Sequence, residues 1–411
     1  MKRLLAILLC VCLMFTLVAC AGKPTQAQQD AKEEAGSTQP EEKTNASTAE
    51  ETKMGESVLI GCILPLSGSS AFDGESAMNG AKTAAQYIND NGGILGGRKI
   101  ELVVEDSATD PDTAASAAEK LINSDHVVAL IGAFNSSCTA AVMPIAKRNG
   151  IPLVTAIATS ATLTEQDNEW FFRAVGISKL YIGAFAETVI NTLGANKIAY
   201  IYENGDWGLG SVNTFKEFAE GLGAETTTTQ VVNSSDADLY TQLTAIKDTN
   251  PDAIYAVSNL ANAVRIATQA KELGITCPII GEGAWASGDF LDQAGDAAEG
   301  IYGMVEYLPD IKTEMNPLFT ELYAKQTNGK APDKYCACDF NAVLVVANAI
   351  DQAGSTDAAA VRDALAATDM DILTGHIQFN ANGQGYGFET FLSKNVNGVA
   401  TFAGSATVVA D

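Results

Sequence analysis

Histidine is almost absent from this sequence, which has only His126 and His376 among its 411 residues. Zinc sites and most acid–base catalysts depend on histidine, so a zinc site cannot be assembled convincingly from this chain. Basic residues are also scarce, at 25 against 50 acidic ones, which gives a formal net charge of −25. Such a charge repels nucleic acids and anionic lipid surfaces. These shortages exclude partners and chemistries but do not by themselves indicate a function.

The amino-terminal segment lacks the length of a membrane span. Lys2 and Arg3 precede a largely apolar run over residues 4–19, whereas a spanning helix needs about 20 apolar residues. A basic start before a short apolar run is typical of a secretory signal, so residues 1–19 are predicted to be a signal peptide. The run ends in LVAC, which resembles the lipobox of bacterial lipoproteins and implies cleavage before Cys20 and lipid attachment to its sulfur. An ordinary signal peptide followed by a chance cysteine is the alternative.

The next segment lacks every residue type that builds a core. Residues 21–54 contain no aromatic residue and no valine, isoleucine or leucine. Such a stretch cannot bury enough apolar surface to offset the entropy of ordering. We therefore predict that residues 20–56 consist of the lipidated cysteine and a disordered tether with an r.m.s. span of about 30 Å.

The cysteine pattern indicates neither a metal site nor a complete set of disulfides. Five of the eight cysteines remain after residue 20, an odd number that leaves at least one thiol unpaired. Cys336 and Cys338 are separated by one residue, which is not a metal-binding spacing. Burial as small apolar residues is the commonest fate of such cysteines. No metal and no cofactor are predicted.

Between Ser57 and Gly283, apolar runs alternate with helical patterns. The stretch SVLIGCILPL, for example, has the pattern of a buried strand, and GESAMNGAKTAAQYINDNGG has the pattern of a helix. Continuous apolar strands between helices indicate parallel sheets that are covered on both faces. The strands are too many for one sheet of ordinary size. The predicted fold class is therefore α/β, with two doubly wound parallel-sheet lobes.

Serine and threonine cluster directly after two of the predicted strands, at residues 136–139 and 158–164. Ligands of open parallel sheets bind beyond the carboxyl ends of the strands, where loops lead into helices. Backbone N–H groups at a helix start are unsatisfied and the helix dipole favours negative charge there. Two adjacent loops of this kind predict a seat for a carboxylate, although a single loop would be explained by ordinary helix capping.

The same loop could instead hold a nucleophile, since it contains Ser136, Ser137 and Cys138. A nucleophile needs a base within hydrogen-bond reach. His126 opens the strand that this loop closes, and seven extended residues separate the two by roughly 20 Å. His376 has no neighbouring motif, and no G-x-S-x-G sequence surrounds these serines. We therefore predict that the protein is not an enzyme.

Stretches spread along residues 57–411 resemble the leucine/isoleucine/valine-binding proteins, the type I periplasmic binding proteins of ABC importers. The first matching stretch contains the opening strand, a loop, a helix and the motif GGILGG. Three more follow along the chain: the paired Ser/Thr loops, the segment ENGDWGLG and the segment GEGAWASGDFLDQAGDAAEGIYG. The resemblance implies two lobes joined by three crossovers, with the ligand in the cleft between them. The implied crossovers lie near Gly176, Glu306 and Ile377. The implied lobes are residues 57–176 plus 307–377 and residues 177–306 plus 378–411.

The resemblance also implies which residues hold an amino acid by its carboxylate. Ser136 and Thr159 match hydroxyl donors to the α-carboxylate, and the backbone N–H groups of Ile157 and Thr159 lie beside them. The backbone carbonyl of Ile157 would accept a hydrogen bond from the α-ammonium group.

The remaining implied residues form the walls and the ammonium side. Phe72 matches a wall residue of the first lobe, and Trp207 would cover the ligand from the second lobe. Asn259 stands where the family often has tyrosine. Ungapped alignment places the acid that pairs with the ammonium at Gly283, so the adjacent Glu282 is the predicted partner. The alternatives are a core position for the two aromatic residues and a solvated turn for Glu282.

These features predict a lipid-anchored, extracytoplasmic solute-binding protein of an ABC importer. It would bind a branched-chain or related amino acid, act as a monomer and pass its ligand to permease subunits in the membrane, without contacting nucleic acid. Phe72, Trp207 and Trp285 could instead favour a larger, aromatic ligand. The alternative function is a receptor module that senses an amino acid, an amide or an aromatic acid.

Overall fold

The computed structural model describes residues 56–408. The predicted signal peptide, Cys20 and the tether up to Gly55 lie outside these residues. Within the described range, no helix is long and apolar enough to cross a lipid bilayer.

The first sheet contains five parallel strands. They are β1 (Val58–Leu64), β2 (Ile100–Asp106), β3 (Ala129–Gly132), β4 (Leu153–Thr155) and β5 (Phe171–Arg173). Their order in the sheet is β2-β1-β3-β4-β5, and every neighbouring pair is parallel. All of β3 and nearly all of β1 are buried, as the continuous apolar runs predict. The crossovers carry α1 (Ala71–Asp90), α2 (Pro111–Asn123) and α3 (Ser136–Asn149).

The second sheet contains nine strands. They are β6 (Lys197–Glu203), β7 (Glu225–Val232), β8 (Ala253–Ser258), β9 (Ile279–Gly283), β10 (Tyr302–Val305), β11 (Asp369–Ile372), β12 (Gly375–Phe379), β13 (Gly385–Val396) and β14 (Val399–Thr407). The order is β11-β12-β13-β10-β9-β8-β6-β7, and β14 pairs with β13. Strands β6 to β10 are parallel to their neighbours among themselves. Strands β11 to β14 are antiparallel additions.

Five helices accompany the second sheet, the first of which leads into it from β5. They are α4 (Ser178–Leu193), α5 (Asp206–Gly221), α6 (Tyr240–Asp248), α7 (Leu260–Glu272) and α8 (Gly288–Ala294). Two short 3-10 turns, Ala161–Leu163 and Gly295–Ala297, lie in the connecting loops. The alternation of parallel strands and helices confirms the predicted α/β class. The antiparallel strands at one side of the second sheet are a departure from the purely parallel lobes that were predicted.

After β10 the chain returns to the first sheet. It forms α9 (Asn316–Gln326), α10 (Lys334–Ala353) and α11 (Ala358–Ala366) before β11 begins. Most of α10 is buried, and its apolar residues share one core with β1 and β3. Helix α10 also packs closely on α1. The two helices are so close at Gly80 that a Cβ there would lie 1.9 Å from the carbonyl oxygen of Cys336.

We call the first sheet with α1–α3, α9–α11 and the strand pair β11–β12 the first half, because Ile372, Ile377 and Phe379 of that pair share the core of α10. Strands β6–β10, β13 and β14 with α4–α8 form the second half. The chain passes between them after β5, after β10 and through residues 380–384. Gly176 and Glu306 lie in the first two of these connections. Ile377 lies inside β12, which is hydrogen-bonded to β13, so the third connection follows it. The exact division into lobes remains a prediction.

Local sequence explains where two of these helices begin. Asp110 precedes α2, and its side chain accepts a hydrogen bond of 2.8 Å from the backbone N–H of Thr113. Pro111 occupies the first helical position, where its missing N–H costs nothing. Asp333 caps α10 in the same way by accepting from the backbone N–H of Cys336 at 3.0 Å. This cap fixes the start of the helix that carries Lys334 and Tyr335 to the site.

Candidate functional site

A cavity lies between the two halves, at the carboxyl ends of their parallel strands. Its wall is formed by residues that follow β3, β4, β6, β8 and β10, by the last residues of β9 and by the first residues of α10. This is the place where open parallel sheets bind ligands. The wall residues are Phe134, Asn135, Ser136, Ile157, Ala158, Thr159, Trp207, Asn259, Glu282, Gly283, Glu306, Lys334 and Tyr335.

The structure brings six of the seven predicted site residues together in this wall. They are Ser136, Ile157, Thr159, Trp207, Asn259 and Glu282. Phe72 is the exception, because its side chain is 60% exposed in the first turn of α1 and does not line the cavity. Neither His126 nor His376 belongs to the wall.

The two loops rich in serine and threonine contact each other at the cavity. The backbone N–H of Ser160 donates a hydrogen bond of 3.3 Å to the hydroxyl oxygen of Ser136. This oxygen acts as the acceptor, so the proton of the Ser136 hydroxyl can be donated elsewhere. Ser136 and Thr159 are both buried. Ser136 is also the first residue of α3, so the positive end of that helix faces the cavity.

Glu282 lies on β9 at the opposite side of the cavity, and its carboxylate is held by neutral donors. Oε1 accepts hydrogen bonds of 3.0 Å from the Tyr181 hydroxyl, the Trp207 Nε1–H and the Ser211 hydroxyl. Oε2 accepts from the Tyr255 hydroxyl. Burial and the charge of Glu282 raise the pKa of Tyr255 well above its usual value, so this phenol keeps the proton that it donates. These hydrogen bonds fix the orientation of the carboxylate.

Gly283 explains why the acid belongs at residue 282. The φ angle of Gly283 is 120°, a conformation that residues with a Cβ rarely adopt. A Cβ there would lie 2.1 Å from the carbonyl oxygen of Ser258 and 3.0 Å from the Trp207 ring. No carboxylate can therefore occupy position 283, and Glu282 is the acid that this strand end presents.

A buried ion pair in the wall was not predicted from the sequence. Lys334 Nζ lies 2.9 Å from Glu306 Oε2, and the two side chains are 9% and 11% exposed. Burial alone would lower the pKa of Lys334, but the attraction and hydrogen bond of Glu306 outweigh it and the pKa is raised. No motif connects these two residues in sequence. Phe134 and Asn135 were also missed, although they directly precede Ser136.

The family follows from a comparison with known proteins. Residues 57–387 match the family described as periplasmic binding protein, which is well over half of the chain. The chain belongs to this family.

Individual relatives of this periplasmic binding protein agree with that assignment. The leucine-, isoleucine-, valine-, threonine- and alanine-binding protein of Pseudomonas aeruginosa is 25% identical over 328 residues, which are 80% of this chain and 87% of that protein. The crystal structure of a leucine binding protein from Thermotoga maritima is 27% identical with a TM-score of 0.79, covering 85% of this chain and 99% of that one.

A third comparison is a branched-chain amino acid transporter substrate binding protein of Streptococcus pneumoniae, solved in complex with isoleucine. It is 26% identical with a TM-score of 0.78, covering 86% of this chain and 99% of that one. The predicted resemblance to the Leu/Ile/Val-binding proteins is confirmed by these relatives. They are substrate-binding proteins rather than enzymes, which also confirms that prediction.

In this periplasmic binding protein, Asn259 links the two halves beside the cavity. It is the N-cap residue of α7 in the second half. Its side-chain amide donates a hydrogen bond of 3.0 Å to the hydroxyl of Ser70, which directly precedes α1 in the first half. The same amide lies 3.5 Å from Glu203 Oε1. Asn259 therefore joins the two halves where they meet at the ligand cavity.

A second chamber adjoins the cavity. The two share Asn135, Ser136, Trp207 and Asn259 in their walls. The rest of the second chamber is mainly polar and includes Ser69, Thr109, Ser137, Glu203, Asn204, Asp206 and Ser234. In residues 56–408, no group of three or more His, Cys, Asp or Glu side chains is arranged to hold a metal ion. The five cysteines of this range are all unpaired thiols.

Proposed function

We propose that this chain is the extracytoplasmic solute-binding component of an ABC importer, and that it captures a branched-chain or related amino acid between its two halves. The observation that carries the proposal is the opposite chemistry of the two cavity walls. Hydroxyl groups and a helix N-terminus lie on the side of the first half, and the carboxylate of Glu282 lies on the side of the second half. Such walls complement the two ends of a zwitterion.

The carboxylate end of the ligand would bind at the paired loops. Ser136 and Thr159 would donate from their hydroxyl groups, and the backbone N–H groups of Ile157 and Thr159 would complete the seat. Burying a carboxylate without such donors would cost several kcal/mol. The names of the similar proteins, which refer to leucine, isoleucine and valine, support an amino acid as the ligand.

The ammonium end would bind Glu282 and the backbone carbonyl of Ile157, with Asn259 beside them. Trp207 would cover the ligand, since its indole lines the cavity and is fixed by its hydrogen bond to Glu282. Phe72 has no part in this proposal, because it does not line the cavity.

The proposal includes the attachment and the partners of the protein. A lipid on Cys20 and the segment up to residue 56 would tether a monomer at the outer face of the cell membrane, where two acyl chains suffice for stable anchoring. Permease subunits in the membrane would accept the ligand from the closed form.

A binding measurement tests the ligand class. The mature protein is unfolded and refolded to remove any copurified ligand, and its thermal unfolding is then followed with leucine, isoleucine, valine, threonine and alanine. A ligand at 100 times its Kd stabilises the folded state by about 2.7 kcal/mol. Stabilisation by at least one of these amino acids is expected. An unchanged Tm with all five, from a refolded protein that shows native circular dichroism, would contradict the amino-acid proposal.

Two variants test the carboxylate seat. Ser136→Ala and Thr159→Ala should each weaken the binding of the amino acid by about 1–3 kcal/mol, because each removes a buried hydroxyl from the cavity wall. Isothermal titration calorimetry measures the change. Ser116→Ala, which removes an exposed hydroxyl on α2, is the matched control and should bind as the parent does. Parental affinity in both cavity variants would refute the seat.

A further inference from the structure

Arg173, the last residue of β5, is completely buried behind the ligand loop. Its guanidinium makes four hydrogen bonds. Nη1 donates to the carbonyl oxygens of Ser160 at 2.5 Å and Ala158 at 3.4 Å. Nη2 donates to the hydroxyl of Thr164 at 2.6 Å, and Nε donates to Oε1 of Gln384 at 2.6 Å. All four acceptors are neutral.

The positive charge of Arg173 therefore has no carboxylate partner in contact. None of the ion pairs between the described residues includes it. Glu165, which is exposed, attracts it only from a distance. Burial lowers the pKa of Arg173 to about 9, so the group remains charged at neutral pH. Burying an uncompensated cation is costly, and a negative charge placed nearby would offset that cost.

The position of this charge relates it directly to the cavity. The two carbonyl groups that accept from Nη1 belong to Ala158 and Ser160, which flank Thr159 in the chain. Ala158 and Thr159 line the cavity. The peptide that carries the Ala158 carbonyl also carries the Thr159 N–H, which points in the opposite direction because the peptide is planar and trans. A cation at the carbonyl end polarises such a peptide and strengthens the N–H as a donor.

We propose that Arg173 is a positioning residue that holds the loop 158–160 in place and makes it electropositive, so that the cavity prefers a ligand group with a carboxylate charge. The inference rests on the proposed function, since it concerns the carboxylate end of the same ligand. It does not depend on an amine at the other end.

Gln384 extends this role to the connections between the halves. Its side-chain N–H groups donate to the carbonyl oxygens of Val175 at 2.9 Å and Gly385 at 2.6 Å. The backbone N–H of Arg173 donates to the carbonyl oxygen of Gly383 at 2.8 Å. Arg173 thus ties the ligand loop to two of the three connections. A movement of the halves can reach the carboxylate seat through this residue.

The charge can be tested without removing Arg173. Thr164 is partly exposed, accepts from Nη2 and does not line the cavity. Thr164→Asp would supply the missing counter-charge at Nη2, and Thr164→Asn is its matched neutral control. Each is titrated with leucine and with leucinamide, in which the carboxylate is replaced by an amide. We expect Thr164→Asp to reduce the preference for leucine over leucinamide about tenfold relative to Thr164→Asn. A merely structural role would weaken both ligands equally.

A second measurement does not require a ligand. In selectively labelled protein, the amide proton of Thr159 should resonate further upfield in Thr164→Asp than in Thr164→Asn, because the peptide is less polarised. Arg173→Lys keeps the charge but loses the planar fork, so it should lower the affinity for both ligands and preserve their ratio.

The outcomes separate the two hypotheses. If no amino acid binds the parent protein, the proposed function fails, while the Thr159 resonance still tests the role of Arg173. If the parent binds leucine but Thr164→Asp and Thr164→Asn show the same preference and the same Thr159 resonance, the role proposed for Arg173 is refuted and the proposed function stands.

Discussion

Asp339 illustrates how a single buried side chain can set the pH dependence of stability. It lies in α10 with 1% of its surface exposed, and its Oδ2 has no hydrogen-bond partner among the described residues. Burial raises its pKa to about 7. The folded protein therefore binds a proton that the unfolded chain has already lost, over the interval from the unfolded pKa of about 3.9 up to 7. Stability falls as the pH rises through this interval.

Replacing this carboxyl group with its neutral isostere should remove that dependence. We expect the Tm of Asp339→Asn, relative to the parent, to be higher at pH 8 than at pH 5. Asp248→Asn changes the net charge equally at an exposed site of α6 and serves as the control. Differential scanning calorimetry at the two pH values measures the effect. A difference from the parent that does not change with pH would show that Asp339 is not protonated in the fold.

Where a local pattern marks a strand end, the residues predicted from the sequence lie together in the cavity wall, and their roles in binding remain predictions. Ser136 and Thr159 follow apolar runs, and the hydroxyl clusters made them visible. Glu282 was placed by resemblance, and the backbone of Gly283 now gives its physical reason. The pair of Lys334 and Glu306 had no such signal, because their contact depends on how the chain returns from the second sheet to α10.

At the scale of elements, the contact between α1 and α10 depends on a residue without a side chain. A Cβ at Gly80 would lie 1.9 Å from the carbonyl oxygen and 2.5 Å from the Cα of Cys336. Backbone atoms cannot turn aside as a flexible side chain can, so the two helices would have to separate. Gly80→Ala should lower the free energy of unfolding by about 1–3 kcal/mol, the usual cost of overpacking.

Urea denaturation of the ligand-free protein measures this loss. Gly221→Ala is the control, since Gly221 ends α5 and a Cβ there meets no atom within 4 Å. That variant should be unchanged or slightly more stable, because alanine loses less entropy than glycine in a helix. Equal stability of the two variants would mean that α1 and α10 are not in close contact.

Most elements before Gly283 were predictable because apolar runs and helical periodicity alternate there, but the three-residue strand β5 was too short to be recognised. Beyond Gly283, strands such as β14 carry a different pattern. Most of β14 is exposed and it pairs on one side with β13, so no buried run marks it. For Phe72, the resemblance predicted a residue in the wall of the ligand cavity. Its side chain is exposed instead. Sequence position alone does not determine which way the first turn of α1 faces.

At the scale of the whole molecule, a buried acidic group lies where the two halves meet. Asp73 in α1 is 4% exposed and lies beside the backbone N–H of Leu260 in the second half. Burial, and then the charge of Asp333, raise its pKa to about 8. Other ionisable groups near Asp73 are Glu203, Lys334 and Tyr335.

The contact of Asp73 predicts that closure takes up a proton. In an open form Asp73 would be solvated and ionised at neutral pH, whereas the closed form holds its proton up to about pH 8. The closed form is therefore favoured at low pH, and ligand affinity should fall as the pH rises from 6 to 8. Calorimetric titration at these pH values should show a weaker dependence in Asp73→Asn. Asp90→Asn, at the exposed end of the same helix, should keep the parental dependence. An identical dependence in both variants would contradict the prediction.

The return of the chain to the first sheet also affects its synthesis. The strands of that sheet are complete when Arg173 has left the ribosome, but α10 begins only at Lys334. Until then Phe134 lacks the ring of Tyr335, against which it packs with centroids 5.4 Å apart. At the usual rates of translation, this delay lasts on the order of ten seconds or more. The nascent chain therefore cannot complete its first core until α10 has emerged.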